Sequence, residues 1–332
     1  MKKIFITGSE GFIGSHLTEK LVKSGYNVRA YVQYNSFNSI GWLSNIDKKY
    51  QKKIDIVFGD IRDKENLENS MKDCDYVFHL AALIAIPYSY KSPASYIETN
   101  VVGTLNVIQS AQKNRIKKII HTSTSEVYGT AQTIPINENH PLVGQSPYAA
   151  SKIGADQVAI SMSKSFGAPI VIVRPFNTFG PRQSLRAVIP TIISQFVLKK
   201  KDILIGNLNS SRDFNFVEDT CSGFICAMKS KFKSAEVFNL SSGKDFKIFE
   251  IINLLKKVSR YNPNIIVDKK RIRPKKSEVN RLIGSSRLAR KYLNWEPKYI
   301  NKKGFILSLS KTYKWFCDNI EMYNKNSNKY NL

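Results

Sequence analysis

The start of the chain constrains its fold more than any other stretch. Lys3 to Thr7 is a short apolar run that predicts a strand. Three glycines follow it directly: Gly8, Gly11 and Gly14. A helix is predicted from about Phe12 to Ser24, with Gly25 as its stop. Strand, glycine-rich turn and helix let a backbone approach a pyrophosphate and offer it a helix N-terminus, although a purely structural turn is the alternative.

The chain then repeats the alternation of strands and helices. Further strands are predicted at residues 27–32, 54–58, 75–79, 116–120 and 169–173, with a helix at 96–113 among the intervening segments. This rhythm predicts an α/β fold with a doubly wound parallel (Rossmann) sheet. The alternation loosens later, which predicts a smaller C-terminal α/β cap. We expect an NAD(P)-binding domain over 1–176, a cap mainly over 177–322 whose elements can interleave with the first domain, and a frayed tail over 323–332.

The residues that would hold a dinucleotide follow the predicted strands. Asp60 can accept from an adenine amino group, and the small residues after His79 let backbone lie against a cofactor. The cofactor residues predicted from these segments are Gly8, Gly11, Phe12, Ile13, Gly14, Asp60, Ile61, Leu80, Ala81 and Ala82. A ribose-binding acid is expected about 20 positions after the glycines. Val32 stands there instead, and no arginine follows the strand to meet a 2′-phosphate, so these residues leave the choice between NAD and NADP open.

Two short motifs carry candidate chemistry. Thr124, Ser125 and Glu126 follow a predicted strand, at the sheet edge where open α/β sheets bind ligands. Tyr148 and Lys152 are four apart on a predicted helix and therefore share a face. An ammonium beside a phenol favours the phenolate, so the tyrosine pKa is expected to fall toward neutrality. The alternative is a capping Ser/Thr cluster with an ordinary exposed Tyr/Lys pair.

Composition and charge bear on three classes of protein: nucleic-acid-binding proteins, metalloproteins and membrane proteins. The net charge of +25 could serve nucleic-acid binding, but the lysines are spread along the chain without a recognition motif, and an anionic small substrate fits equally well. The four cysteines and four histidines lack ligand spacing, so no metal site is predicted. Neither a membrane-spanning run of about 18 apolar residues nor a signal peptide is present, so we expect a cytoplasmic protein with no membrane partner.

Seven ordered motifs resemble those of the extended short-chain dehydrogenase/reductase family, in its branch that modifies nucleotide sugars. They are the glycine turn, Gly59-Asp60, His79 to Ala82, Thr124-Ser125-Glu126, Tyr148 with Lys152, Arg174-Pro175-x-Asn177, and Arg212-Asp213-Phe214. The resemblance runs from Gly8 to about Pro297, nearly the whole chain. It implies an enzyme that uses NAD, a nucleotide-sugar substrate and a homodimer.

Within that branch, Glu126 decides which reaction the resemblance implies. Epimerases of the family usually lack a glutamate there, whereas 4,6-dehydratases use a carboxylate to remove the C5 proton of a 4-keto sugar. Thr124-Ser125-Glu126 resembles the motif of GDP-sugar dehydratases, which leaves the acid that protonates the C6 hydroxyl open among Glu126, Ser125 and a water. UDP-glucuronate decarboxylases share the motif but typically carry Gly-Lys-Arg where this chain has Ser151-Lys152-Ile153. The resemblance therefore favours a dehydratase, with decarboxylase and 4-epimerase as alternatives.

The wider pattern resembles dehydratases of legionaminic-acid-type pathways, which act on a nucleotide-linked N-acetylglucosamine. It lies at 148–157, 174–186 and 273–279. A non-catalytic, cofactor-bound regulator is a distant alternative, because such proteins usually lose the Tyr-Lys pair.

By the resemblance, Thr124 would hold the sugar 4-oxygen, Tyr148 would be the base, and Lys152 would hold ribose and tune Tyr148. The resemblance also adds four residues to the predicted cofactor-binding set: Asn100, Thr122, Tyr148 and Lys152. The substrate-binding set adds Asn177, Arg186, Arg212 and Arg273. For Arg212, the alternative is a salt bridge to Asp213 or Asp219. Arg271 could take the place of Arg273. Asn100 is either an amide on the helix surface or a residue that supports the site from behind. The dimer would form through the helices around 96–113 and 148–166. Its candidate apolar positions, which could equally be core, are Val101, Leu105, Ile108, Ile153, Val158 and Met162.

Overall fold

The elements of the fold come from a computed structural model, which describes residues 2–271 and 281–324. Its strands are β1 (Lys3–Thr7), β2 (Asn27–Gln33), β3 (Ile54–Gly59), β4 (Tyr76–His79), β5 (Lys118–Thr122), β6 (Ile170–Pro175), β7 (Asn177–Phe179), β8 (Asp202–Ile205), β9 (Ser211–Phe216), β10 (Ser234–Leu240), β11 (Asp245–Lys247), β12 (Asn264–Val267) and β13 (Arg281–Leu282). Its α-helices are α1 (Phe12–Lys23), α2 (Lys48–Gln51), α3 (Lys64–Ser70), α4 (Ile86–Ser89), α5 (Pro93–Tyr96), α6 (Gly103–Lys113), α7 (Pro147–Phe166), α8 (Val188–Val197), α9 (Val217–Lys229), α10 (Ile248–Ser259), α11 (Arg287–Leu293), α12 (Lys302–Asn319) and α13 (Glu321–Asn324). Shorter 3-10 helices lie at Gly41–Asn45, Ser125–Tyr128 and Lys269–Arg271, and a π-helix lies at Ile97–Val102.

Seven strands form the central sheet in the order β10-β6-β5-β4-β1-β2-β3. All six neighbouring pairs are parallel. Strand order reverses beside β1, where the chain moves outward first through β2 and β3 and then through β4 to β6. The doubly wound parallel sheet predicted from the alternation of elements is confirmed.

Both faces of this sheet are buried. In β1, Ile4 and Ile6 join one hydrophobic cluster, while Phe5 joins another. Successive side chains of a strand point to opposite faces, so this division places the two clusters on opposite sides of the sheet. The continuous apolar run of β1 is therefore typical of a parallel strand covered on both faces.

The C-terminal half contributes two smaller sheets and one strand of the large sheet. β9 pairs with β7, β11 and β13, and β8 pairs with β12. β10 returns to the edge of the central sheet beside β6. The elements of the two halves thus interleave, as the sequence allowed, and the proposed division at residue 176 remains a prediction.

Two predicted elements differ from the observed ones. The helix predicted at 96–113 consists of α5, the π-helix and α6 in sequence. The strand predicted at 116–120 is β5, which begins two residues later, at Lys118, and ends at Thr122. The Lys118 ammonium is buried against carbonyls at the end of α9. Of the predicted tail, residues 325–332 lie outside the described residues. Among the described residues, no helix has the length and apolar character needed to cross a membrane.

Candidate active site

A cleft of about 790 Å³ lies at the carboxyl ends of the central strands. Its walls come from the segments that follow β1, β3, β4, β5 and β6, together with parts of the C-terminal half. Parallel α/β sheets bind ligands at this edge, near the point where strand order reverses. The cleft is therefore the candidate active site.

The glycine-rich turn forms one end of the cleft and requires its glycines. Gly8 has a φ of +67°, and a Cβ on it would lie 2.7 Å from the main-chain nitrogen of Ala81. A Cβ on Gly14 would lie 2.1 Å from the carbonyl oxygen of Gly8. Helix α1 begins at Phe12 with no side-chain cap from Gly11, so its first N–H groups face the cleft without a capping carboxylate or hydroxyl. This arrangement fits a pyrophosphate, since helix N-termini attract anions.

Most of the predicted cofactor residues lie on the wall of this cleft. They are Gly8, Gly11, Phe12, Ile13, Gly14, Asp60, Ile61, Leu80, Ala81, Ala82, Thr122, Tyr148 and Lys152. Both carboxylate oxygens of Asp60 accept from the Arg62 guanidinium, Oδ1 at 3.0 Å and Oδ2 at 2.7 Å, and that pairing lowers the pKa of Asp60.

Asn100 is buried behind the wall rather than on it. Its side-chain amide donates to the carbonyl oxygen of Leu83 at 2.9 Å and accepts from the Leu83 N–H at 2.8 Å. It also donates to Ser151 Oγ at 2.9 Å, next to Lys152. The alternative of a surface amide is wrong, and we propose that Asn100 is a positioning residue instead of a direct cofactor ligand.

The candidate catalytic residues meet midway along the cleft, where Thr124, Ser125, Glu126, Tyr148 and Lys152 all line the wall. Thr124 begins the 3-10 helix after β5, and its Oγ1 accepts from the N–H of Glu126 at 3.2 Å. Tyr148 lies in the first turn of α7, which begins with Ser146 as cap and Pro147. The segment after β5 and the first turns of α7 thus place a hydroxyl, a carboxylate, a phenol and an amine in one cleft.

The expected lowering of the Tyr148 pKa is not found. Burial raises the pKa of Tyr148, the neighbouring Thr124 side chain opposes that rise, and the Glu126 charge adds to it. Lys152 Nζ donates to the main-chain oxygen of Thr122 at 2.6 Å. Burial lowers the pKa of Lys152 to about 8, against the opposing effect of Asp156. The expectation failed because helical spacing places two groups on one face but does not measure their desolvation.

A buried polar network lies behind the catalytic residues and was not predicted. Asp156 accepts from Ser123 Oγ at 2.8 Å, from His121 Nε2 at 3.2 Å and from the Arg174 guanidinium at 2.9 Å. Burial works against its charge, but these donors and the Arg174 charge hold the pKa of Asp156 below its ordinary range. Asp156 follows Lys152 by four residues on α7, so the i, i+4, i+8 series from Tyr148 was a signal that could have found it.

Three of the four predicted substrate residues also line the cleft. Asn177, Arg186 and Arg212 line its wall, and so does Arg271. Within the described residues, no ion pair joins Arg212 to Asp213 or Asp219. Asp213 accepts from the N–H groups of Ser242, Gly243 and Gly284, and Asp219 from those of Lys298 and Tyr299.

Arg273 lies outside the described residues. Arg271, its substitute, pairs with Asp268 at 3.1 Å on the cleft wall. No group of three or more His, Cys, Asp or Glu side chains in the described part of the chain is placed to hold a metal ion.

Comparisons with known proteins match this chain to enzymes that modify nucleotide sugars. A family model described as GDP-mannose 4,6 dehydratase matches residues 5–305. A putative UDP-glucose 4-epimerase of Methanocaldococcus jannaschii is 30% identical over 95% of this chain and 99% of its own length. A dTDP-glucose 4,6-dehydratase of an Actinoplanes species is 31% identical over 76% of this chain and 80% of its own length.

Solved structures similar to this chain also include both a 4-epimerase and a 4,6-dehydratase. A UDP-N-acetylglucosamine 4-epimerase from Methanobrevibacter ruminantium, in complex with UDP-N-acetylmuramic acid, is 30% identical with a TM-score of 0.84, covering 96% of this chain and 98% of that one. A double mutant of a dTDP-glucose 4,6-dehydratase from Streptomyces venezuelae, with NAD bound, is 25% identical. Its TM-score is 0.86, and the match covers 97% of this chain and 99% of that one.

The fold and the cleft define a dinucleotide-binding dehydrogenase/reductase of the short-chain type. The matches place the chain more narrowly. It belongs to the extended short-chain dehydrogenase/reductase family, in the NAD-dependent branch of nucleotide-sugar epimerases and dehydratases.

Proposed function

We propose that the protein is a nucleotide-sugar 4,6-dehydratase that converts UDP- or GDP-N-acetylglucosamine to the 4-keto-6-deoxy sugar. The observation that carries the proposal is the position of Glu126. Its carboxylate lines the same cleft as Tyr148 and Thr124, close enough for its charge to act on the Tyr148 phenol. A site that only inverts C4 needs one base, whereas elimination needs a second group for the C5 proton.

The first step uses Tyr148, Thr124 and Lys152. Tyr148 removes the proton of the sugar 4-hydroxyl while the Thr124 hydroxyl holds the 4-oxygen. Burial raises the pKa of Tyr148, so this step needs positive charge to stabilise the phenolate, and Lys152 on the same cleft wall would supply it. The Asp156 charge helps to keep the Lys152 amine protonated. The dinucleotide, when bound in the glycine-rich turn, supplies a reversible acceptor for the C4 hydride.

The second step uses Glu126. A 4-keto group acidifies the C5 proton, and Glu126 is the carboxylate that takes it. The C6 hydroxyl then leaves as water, with its proton coming from Glu126, Ser125 or a bound water. Return of the hydride to C6 and of a proton to C5 completes a net loss of one water.

Substrate binding is proposed for the basic end of the cleft. Arg212 is a buried guanidinium on the wall, and Arg186 is an exposed one. With Asn177 and Arg273, they would contact the nucleotide diphosphate, which guanidinium groups bind in a bidentate manner. The net charge of +25 would attract such an anion over a distance.

A 4-epimerase is the second candidate, favoured by the two 30% identical relatives, which are named as 4-epimerases. Its chemistry needs the Tyr148 step alone, followed by rotation of the 4-keto sugar. UDP-glucuronate decarboxylation is a third reaction that begins in the same way.

The test is to incubate the purified protein and NAD with UDP- and GDP-N-acetylglucosamine and to record product masses. Loss of one water, abolished in Glu126→Gln, supports the dehydratase and names the nucleotide. Glu296→Gln is the matched control, because Glu296 is exposed and outside the cleft, so this variant should retain the activity.

Each other outcome contradicts the proposal in a distinct way. Unchanged mass with a new 4-epimer identifies an epimerase. Loss of carbon dioxide from UDP-glucuronate identifies a decarboxylase. Tight NAD binding without turnover of any nucleotide sugar identifies a non-catalytic regulator.

A further inference from the structure

Glu10 is an acidic residue inside the glycine-rich turn, between Gly8 and Gly11. Its Oε1 accepts from the main-chain N–H of Gln33 at 3.1 Å. Gln33 is the last residue of β2, and both residues line the cleft. The Glu10 carboxylate therefore lies at the end of β2, although it comes from another strand–helix turn.

The second carboxylate oxygen of Glu10 has no donor within the described chain. Oε2 is buried and makes no hydrogen bond there. Burial raises the pKa of Glu10, with the N–H groups of Glu10 and Gln33 opposing the rise. A buried carboxylate oxygen without donors costs free energy, so a ligand hydroxyl would be a favourable partner.

The main chain around Glu10 fixes its position. Its carbonyl oxygen accepts from the N–H of Trp42 at 3.0 Å. Gly41 packs against it so closely that an added Cβ would lie 3.0 Å from Glu10 Cβ. Gly41 also has a φ of +53°, which favours glycine. The 3-10 helix at Gly41–Asn45 thus holds the carboxylate in place.

We propose that Glu10 is the residue that binds the adenosine ribose of the dinucleotide, accepting from its 2′ and 3′ hydroxyls, and that it thereby selects NAD over NADP. In the dinucleotide-binding fingerprint, this task falls to an acid about 20 residues after the glycines, at the end of the second strand. Val32 occupies that place here. Glu10 supplies the carboxylate at the same point in space, held there by its hydrogen bond to Gln33.

The selectivity follows from charge. A ribose diol offers two O–H donors to the carboxylate, whereas a 2′-phosphate brings a second negative charge beside it. Residues 33–40 contain no Lys or Arg that could compensate. The Arg62 guanidinium, also on the cleft wall, is paired with Asp60. NADP would therefore bind against an uncompensated like charge.

The test measures binding of ADP-ribose and 2′-phospho-ADP-ribose by isothermal titration calorimetry, without any nucleotide sugar and without turnover. It depends on dinucleotide use by the family and not on which sugar reaction follows, so it can fail while the proposed function stands. We expect the wild-type chain to prefer ADP-ribose by at least about tenfold, the order expected for a hydrogen bond to a charged group. In Glu10→Gln and Glu10→Ala, this preference should fall by about tenfold or more.

Two controls keep the result interpretable. Glu296→Gln removes the same charge at an exposed site outside the cleft and should leave the preference unchanged. If the Glu10 variants do not fold, wild-type protein titrated with 2′-deoxy-NAD and NAD replaces them, and the deoxy compound should bind about tenfold more weakly. An unchanged preference in folded Glu10→Gln, or equal binding of NAD and 2′-deoxy-NAD, would overturn the proposal.

Discussion

At the residue scale, Lys152 carries the feature of the site that is most open to measurement. It is 4% exposed, and burial lowers its pKa from 10.5 to about 8. The folded chain therefore binds fewer protons than the unfolded chain between these two values, so stability rises with pH across that window. The same burial means that the amine loses its charge as the pH rises through about 8.

We expect Lys152→Met to remove part of this pH dependence. From about pH 7 to about pH 9.5, the Lys152 contribution to the free energy of unfolding rises by on the order of 2 kcal/mol. Urea unfolding of both proteins at the two pH values gives the difference. A variant with the same pH dependence as wild type would show that Lys152 is not desolvated in the folded chain.

Local motifs predicted which residues line the site, but not the environment of each. The turn around Gly8 and the Tyr148–Lys152 spacing are local signals, and the cleft contains both. The raised pKa of Tyr148 and the buried Asp156 network depend on contacts from β5 and β6, which spacing along the chain does not contain. Glu10 was missed for a related reason: an acid was sought along β2, and it lies on another turn.

At the element scale, a buried lysine at the start of β5 caps the C-terminal end of helix α9. Lys118 is 2% exposed, and its ammonium donates to the last carbonyls of α9, those of Ala227 and Met228, and to that of Ser230. A cation at a helix C-terminus is favourable, and here it also satisfies carbonyl groups that have no partner within the helix.

Replacing this cap should destabilise the fold. We expect Lys118→Met to lower the free energy of unfolding by about 1–3 kcal/mol, because buried carbonyls lose their donor. The neighbouring Lys117→Met is the matched control: Lys117 is exposed and pairs with Asp75 on the surface, so its loss should destabilise the fold much less than Lys118→Met does. Equal effects in chemical denaturation would contradict the assignment.

Element types were easier to predict from sequence than their boundaries. Apolar runs located helix α1 and six of the seven strands of the central sheet, because burial imposes such runs. The seventh strand, β10, was not predicted as part of this sheet, since it joins the edge beside β6 from the C-terminal half. The π-helix at Ile97–Val102 escaped prediction. Its Asn100 is held by the distant Leu83 and Ser151, and an interruption of that kind is set by tertiary contacts.

At the scale of the whole molecule, the helices around 96–113 and 148–166 remain the predicted dimer face. Ile108 and Met162 are buried in the chain's own core and so leave that list. Ile97 and Val102 are 47% and 45% exposed on the same segment, and Phe166 is 68% exposed. Exposed apolar side chains on these helices are what a dimer interface would cover, so the dimer stays a prediction.

Sedimentation should therefore give a mass of about twice 37.8 kDa. Val102→Glu should shift the protein toward monomer, because a charge would be buried in the interface. Val267→Glu is the matched control, since Val267 is 49% exposed on β12, away from these helices. A monomeric wild-type mass would refute the predicted dimer.

The measurement that tests the central claim most directly is the turnover of UDP- and GDP-N-acetylglucosamine in deuterium oxide, with the product examined by NMR. If Glu126 removes the C5 proton and that proton then leaves with the water or exchanges with the solvent, C5 regains its hydrogen from solvent, and the 4-keto-6-deoxy product will carry deuterium there. Glu126→Gln should form no such product. A 4-epimer without deuterium at C5 would contradict the account, because the carboxylate beside Tyr148 would then take no part in the reaction.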